Sequence, residues 1–258
     1  ADDESSGLKS EKETTVDSSL TMEPDQPSMT TWDEQRAPLS LSKTSSSLFS
    51  RHHYPFSILG TVGLSPIVLT PAIMEALQGF VPYSVSQENF LLKFSLERDG
   101  SSLATLLEKV KSSKHTIISV ETVDGYVFGA FCSTPWRSQS SWFGSVESFL
   151  WRLKNPRIKD DRQTYNNDDD NEIVIYPYTG SDNMIQYCTG TTLAVGGGTD
   201  WTRTIDGSPY ADEPWGIGFL VDGDLMGGET NSCVTFANPR LCDQSKKGNE
   251  FDVHALEV

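Results

Sequence analysis

The spacing of apolar residues changes several times along the chain. After Thr70-Pro71, Ile73, Met74 and Leu77 recur at helical intervals. Thr70 supplies a capping hydroxyl, Pro71 suits the first helical position, and Gly79 and Pro82 end the segment. Phe90, Leu92, Phe94 and Leu96 alternate, which predicts a strand with one buried face over residues 90–96, followed by a turn at Arg98-Asp99-Gly100. Leu103, Leu106, Leu107 and Val110 follow the i, i+3, i+4, i+7 rule of an amphipathic helix. Ser101 or Ser102 is placed to cap it, and Lys109 and Lys111 lie near its negative end. Residues 117–122 and 126–132 flank Asp124-Gly125, whose glycine permits a positive φ, so an antiparallel hairpin is expected.

Further short runs predict strands at 173–178, 184–188, 191–195, 216–221 and 251–258, with Asp222-Gly223 turning the chain. Parallel pairing would need a helical crossover after nearly every strand, and the helices are too few. The expected class is therefore mainly β (α+β): an antiparallel β-sandwich with flanking helices. Two polar spans, 152–172 and 199–214, are rich in Asp, Asn, Gly and Pro and read as surface insertions. Residues 1–55 form a Ser/Thr/acid-rich leader that buries too little to offset chain entropy, so disorder is expected. Residues 56–83 read as a helical lead-in, and 84–258 as the principal domain.

Charge narrows the function. The 36 acidic and 20 basic residues give −16, which opposes binding to phosphate backbones and to bare anionic membranes. Residues 1–50 hold ten acidic and four basic side chains, or −6, leaving −10 on the remainder. Pro66, Pro71 and polar residues interrupt the most apolar stretch, around 58–74, so no spanning helix is expected. The chain begins Ala-Asp-Asp-Glu and reads as a processed or excised fragment. Cys132, Cys188, Cys233 and Cys242 lack C-x-x-C spacing, which favours reduced thiols in a cytosolic protein, although four cysteines permit three pairings.

Local motifs for known chemistries are incomplete. Asp168-Asp169-Asp170 lacks the turning glycine of a calcium loop, and Asp222-x-Asp224 is followed by Cys233 where an EF-hand loop places its bidentate Glu. His52, His53, His115 and His254 have no zinc-ligand spacing. Gly196-Gly197-Gly198 continues as Thr199-Asp200 rather than Gly-Lys-Ser/Thr, so close packing is the reading over a phosphate cradle. Gly144-Ser145-Val146-Glu147-Ser148 is not a nucleophile elbow. Glu147 is either a general acid, if buried, or a turn cap, and the cap reading is favoured. Cys233 follows the polar run Gly227–Ser232 and is the candidate redox thiol if that run leaves it accessible. No Lys, Arg or His lies near it to lower its pKa, which favours an inert thiol.

Several motifs recur together in one order: Leu91-Leu92 through Arg98-Asp99-Gly100 and Leu103, then Asp124-Gly125-x-x-Phe128-Gly129-Ala130-Phe131, then Pro135-Trp136. Gly144-x-x-Glu147-Ser148-Phe149-Leu150 follows, then Tyr178-Thr179-Gly180 with Asn183, Leu193-Ala194-x-Gly196-Gly197-Gly198, Cys233-x-Thr235-Phe236-x-Asn238 and Leu256-Glu257-Val258. In this order they resemble the TLDc domain, from about residue 91 to 258. The resemblance implies a β-sandwich flanked by helices, resistance to oxidative stress, and association with the peripheral sector of the vacuolar-type proton ATPase. It carries over no catalytic residue, metal or cofactor. It implies a non-enzymatic regulatory module, cytoplasmic and peripheral to endomembranes. Trp136, Phe143, Gly144, Glu147, Gly196, Gly197 and Gly198 are the residues to probe, with Trp136 and Phe149 expected in the core rather than at an interface. Two alternatives stand beside it: a redox or peroxide-scavenging enzyme using Cys233, and an acidic adaptor for other proteins.

Overall fold

The computed structural model describes residues 39–40, 55–60, 66–157, 172–198, 216–243 and 248–258, of which residues 39–40 are described by backbone alone. Two short strands come first, β1 (Leu39–Ser40) and β2 (Ile58–Leu59). Helix α1 (Pro71–Gln78) then buries Ile73, Met74 and Leu77, the residues that its spacing singled out. The Thr70 hydroxyl makes no capping bond. The start is served by Pro71, which has no amide to satisfy, and by the Met74 amide donating to Thr70 O.

After α2 (Tyr83–Ser86), only β3 (Phe90–Leu91) of the predicted 90–96 strand is a strand, and it pairs parallel with β2. Leu96 instead opens a single helical turn, α3 (Leu96–Asp99). The Asp99 carboxylate accepts the Ser95 amide at 3.0 Å, and Gly100 ends the turn at φ 81°. This local hydrogen bonding overrides the apolar alternation. Helix α4 (Leu103–Val110) is capped by Ser102 Oγ, which accepts the Thr105 amide at 3.3 Å.

The hairpin at Gly125 is β4 (Thr116–Thr122) with β5 (Val127–Cys132). Then follow β6 (Gln139–Phe143), β7 (Phe149–Leu153), β8 (Ile173–Pro177), β9 (Gln186–Cys188), β10 (Thr192–Val195), β11 (Phe219–Asp222), β12 (Gly227–Glu229) and β13 (Glu250–Glu257). Three of these were not predicted. β6 is a polar edge strand, β7 is apolar except for Arg152 and shows no alternation, and β12 contains glycines that carry no periodicity. Arg152 and Leu153, placed in the first insertion by composition, belong to β7.

The strands pair in the order β1-β8-β7-β5-β4-β13-β12-β11-β10-β9-β6, all neighbours antiparallel. Strand β13 belongs to both halves: Glu250–Asp252 pair with β12, Val253–Glu257 with β4, and the register slips between Val253 and Ala255. The two halves face each other as a sandwich. Phe128 of β5 lies edge-on to Phe219 of β11 at 5.8 Å and to Phe251 of β13 at 5.2 Å. Their shared core includes Leu150, Tyr176, Leu193, Val195 and Val221.

A second core lies on the outer face of the first half. There Val127, Phe131, Phe149, Trp151, Ile173 and Ile175 pack with Val68, Ile73, Met74 and Leu77 of the lead-in. The first sheet is therefore buried on both sides, which explains why β5, β7 and β8 are apolar on both faces over most of their length. The slip in β13 sends Ala255 to this outer core while Val253 and Leu256 face the inner one.

Of the expected leader, Leu39–Ser40 pair with β8 and Pro55 is described. Its other residues, the centres of both insertions (158–171 and 199–215), Asp168-Asp169-Asp170, His52 and His53 lie outside the described residues. Among the described residues no helix is long and apolar enough to cross a membrane.

Candidate functional site

The glycine loop and the late Cys233–Asn238 motif form one packed unit. Gly196 and Gly198 adopt φ 81° and 82°, conformations that favour glycine. A Cβ on Gly196 would stand 2.8 Å from Cys233 Sγ and 2.9 Å from Phe236 Cδ2, so the backbone approach depends on its absence. The loop's polar groups are spent on this docking. The Gly197 amide donates to Thr235 Oγ1 at 3.0 Å, and the amides of Thr235 and Val234 donate to the carbonyls of Gly197 and Gly198, each at 3.2 Å. The Gly196 amide donates to Ile185 O. These amides face protein acceptors, which supports the close-packing reading over an anion cradle.

Thr235, fully buried, also lies 2.7 Å from Asp182 Oδ1, and that carboxylate accepts the Met184 amide. Asn238 closes the turn from inside. Its Nδ2 donates to Asn231 O and Pro239 O, and its Oδ1 accepts the Cys233 thiol at 2.9 Å. The turn thus links the segments around residues 182, 197 and 231 through side chains whose polar atoms are paired.

Cys233 is buried, in line with the favoured reading of an inert thiol and without the accessibility that the redox alternative requires. β12 pairs on both sides and carries the glycine run into the sheet, so the run does not expose the thiol. Burial pushes the thiol up to about 12, which removes the thiolate that redox chemistry needs. Cys132, Cys188 and Cys242 are likewise free and buried, and burial raises each.

Trp136 and Phe143 meet edge to face at 6.0 Å and are buried, with Trp136 Nε1 donating to Thr116 Oγ1 at 3.0 Å. Phe149 stacks on Phe131 in the outer core. Gly144 has φ 128°, and a Cβ there would stand 2.6 Å from Ile185. Glu147 is exposed. It is neither a buried acid nor the turn's cap: the Ser148 amide donates to Ser145 O at 3.0 Å instead. Beside Glu147, Val146 is 64% exposed, and with Gly144 these residues form the accessible part of this motif.

Two further residues act at the other side of the first sheet. Glu257, buried at the end of β13, accepts the amides of Ile67, Val68 and Leu69 at 2.8, 3.1 and 3.0 Å. Arg157 donates to the carbonyls of Ile67 and Val68 and pairs with buried Glu121 at 2.6 Å. Together they satisfy the backbone of the segment leading into α1. The isolated charge in Leu256-Glu257-Val258 was the available signal for Glu257, whereas Arg157 sat within a span read as a polar insertion. Among the described residues, no cluster of three or more His, Cys, Asp or Glu could hold a metal ion.

The TLDc domain family model matches residues 64–258. Oxidation resistance protein 1 of Yarrowia lipolytica is 27% identical over 74% of this chain and 72% of its own length. The protein of the same name from Podospora anserina is 28% identical over 74% of this chain and 59% of its own length. GTPase-activating protein skywalker of Drosophila melanogaster is 24% identical over 85% of this chain, an alignment that spans 34% of that relative.

Proposed function

Because the chain belongs to the TLDc domain family, we propose that it is a regulatory binding module that associates with the peripheral sector of the vacuolar-type proton ATPase and contributes to oxidative-stress resistance. The stress role is supported by the relatives named oxidation resistance protein 1. One observation favours binding over thiol chemistry: Cys233 is sealed between the glycine loop and Asn238, with its thiol pushed up to about 12. A scavenger would need that sulfur ionised and reachable. As a regulator, the module acts by preferring one assembly or rotary state of the pump, since a ligand shifts an equilibrium only through differential affinity.

The test uses the full chain with purified peripheral pump sector, read by co-migration on size exclusion and by the rate of ATP hydrolysis. Co-migration with an altered rate is the expected result, and Glu147→Lys on the exposed turn is expected to weaken it without loss of fold. No co-migration and no rate change would overturn the proposal. Affinity that collapses between low and moderate salt for unrelated basic proteins as well would favour the acidic-adaptor reading.

A further inference from the structure

A cleft of about 660 Å³ lies between the lead-in and the outer face of the first sheet, away from the glycine loop. Its floor includes Ile117 and Phe131, and Met74 of α1, Val81, and Val85 of α2 line one side. Ile58 and Phe90 of the β2–β3 ribbon stand on the other, and the paired Leu59 and Leu91 at its margin are 47% and 45% exposed. That volume lies within the roughly 300–1,000 Å³ common for sites that enclose small molecules.

The polar groups of the cleft are unevenly placed. Lys114 and His115 precede β4, and Lys93 lies on the segment that bonds Val258 at the end of the neighbouring strand β13. These three line the same end of the sheet in a chain of net charge −16. The His115 ring lies parallel to Phe131 with centroids 6.1 Å apart, and its buried Nδ1 has no hydrogen-bond partner among the described residues. His115 nevertheless lines the cleft, where an imidazole N–H can donate to a bound carboxylate beside the two lysine charges. Of the carboxylates lining the cleft, Glu257 is engaged by the three amides of Ile67, Val68 and Leu69, and Glu88 is exposed.

From this combination of an apolar trough and a cationic end we propose that the cleft binds a long-chain fatty acid, its hydrocarbon along the trough and its carboxylate at Lys93, Lys114 and His115. Burial of successive methylenes along the trough supplies the apolar part of the affinity. The carboxylate then fixes the direction of entry through charge-assisted contacts.

The test is displacement of cis-parinarate fluorescence from the full chain by oleate, below the concentration at which oleate forms micelles. Saturable one-to-one displacement is expected, with methyl oleate at least about tenfold weaker because it lacks the charge, the ratio equivalent to about 1.4 kcal/mol. His115→Phe preserves the ring stack and removes the nitrogen, and Lys114→Glu changes an exposed side chain, so both are expected to fold. Each should weaken oleate about tenfold. Absence of saturable binding, equal binding of oleate and its methyl ester, or wild-type affinity in both variants would overturn the assignment. Tighter binding of oleoyl lysophosphatidate than of oleate would overturn the carboxylate and place a phosphate at the cationic end.

Discussion

The thiol of Cys233 donates to the side-chain oxygen of Asn238 at 2.9 Å, and the same two residues form an isolated antiparallel bridge. Asn238 is thereby the internal strut of the turn that seats on the glycine loop. Asn238→Ala removes the acceptor of Cys233 and the donors to Asn231 O and Pro239 O, leaving buried groups unpaired. We expect a loss of about 2–3 kcal/mol in urea unfolding. In the native wild type, Cys233 should resist Ellman's reagent and react only after denaturation. Fast native labelling of Cys233 would contradict the sealed turn.

The four buried thiols predict alkaline sensitivity. Burial raises Cys188 to about 11 and Cys233 and Cys242 to about 12, and Cys132 also rises from the ordinary value of 9.0. The folded state keeps these thiols neutral while the unfolded chain ionises them. Their stabilising contribution is therefore whole below pH 9 and declines as pH rises from there through the folded values. The slope is at most about 1.4 kcal/mol per pH unit for each thiol. Burial also raises Tyr126 and Tyr176, with the same sign. Urea midpoints at pH 8 and pH 10.5 should fall accordingly, and equal midpoints would refute the burial argument.

At the acid end, Asp99 works in the opposite sense. Burial acts to raise its carboxyl, but hydrogen bonds from Arg98, the Ser95 amide and Lys109 outweigh it and hold it at about 2. The stabilisation is present above the ordinary value of 3.8 and is lost as pH falls towards 2. Asp99→Asn should cost about 1 kcal/mol at pH 7 and flatten this part of the acid profile, measured by thermal unfolding between pH 5 and 2.

Glu257 provides a fourth test, because it reaches across more than 180 residues of sequence to hold three successive amides. Glu257→Ala should speed hydrogen exchange at Ile67, Val68 and Leu69 by tenfold or more, the equivalent of about 1.4 kcal/mol or more, while α4 keeps its protection. Unchanged exchange at these amides would show that Arg157 alone secures the segment.

The sequence by itself determined what depends on near neighbours. The four apolar positions of α4, its Ser102 cap and the Gly125 hairpin are legible because spacing, capping and turn geometry act within a few residues. The ordered motifs, from Leu91 to Val258, were enough to point to the family, and Gly196-Gly197-Gly198 already read as a site of close packing. Tertiary structure decided what depends on distant partners. Alternation at Phe90–Leu96 lost to the Asp99 bond and the pairing of Phe94 with Val258. The polar run before Cys233 entered a sheet, and an arginine assigned to an insertion became the partner of Glu121. A side chain's periodicity is local, but its burial and the partner of its polar group are set by whichever segment folds against it, as Glu257 and Leu69 show.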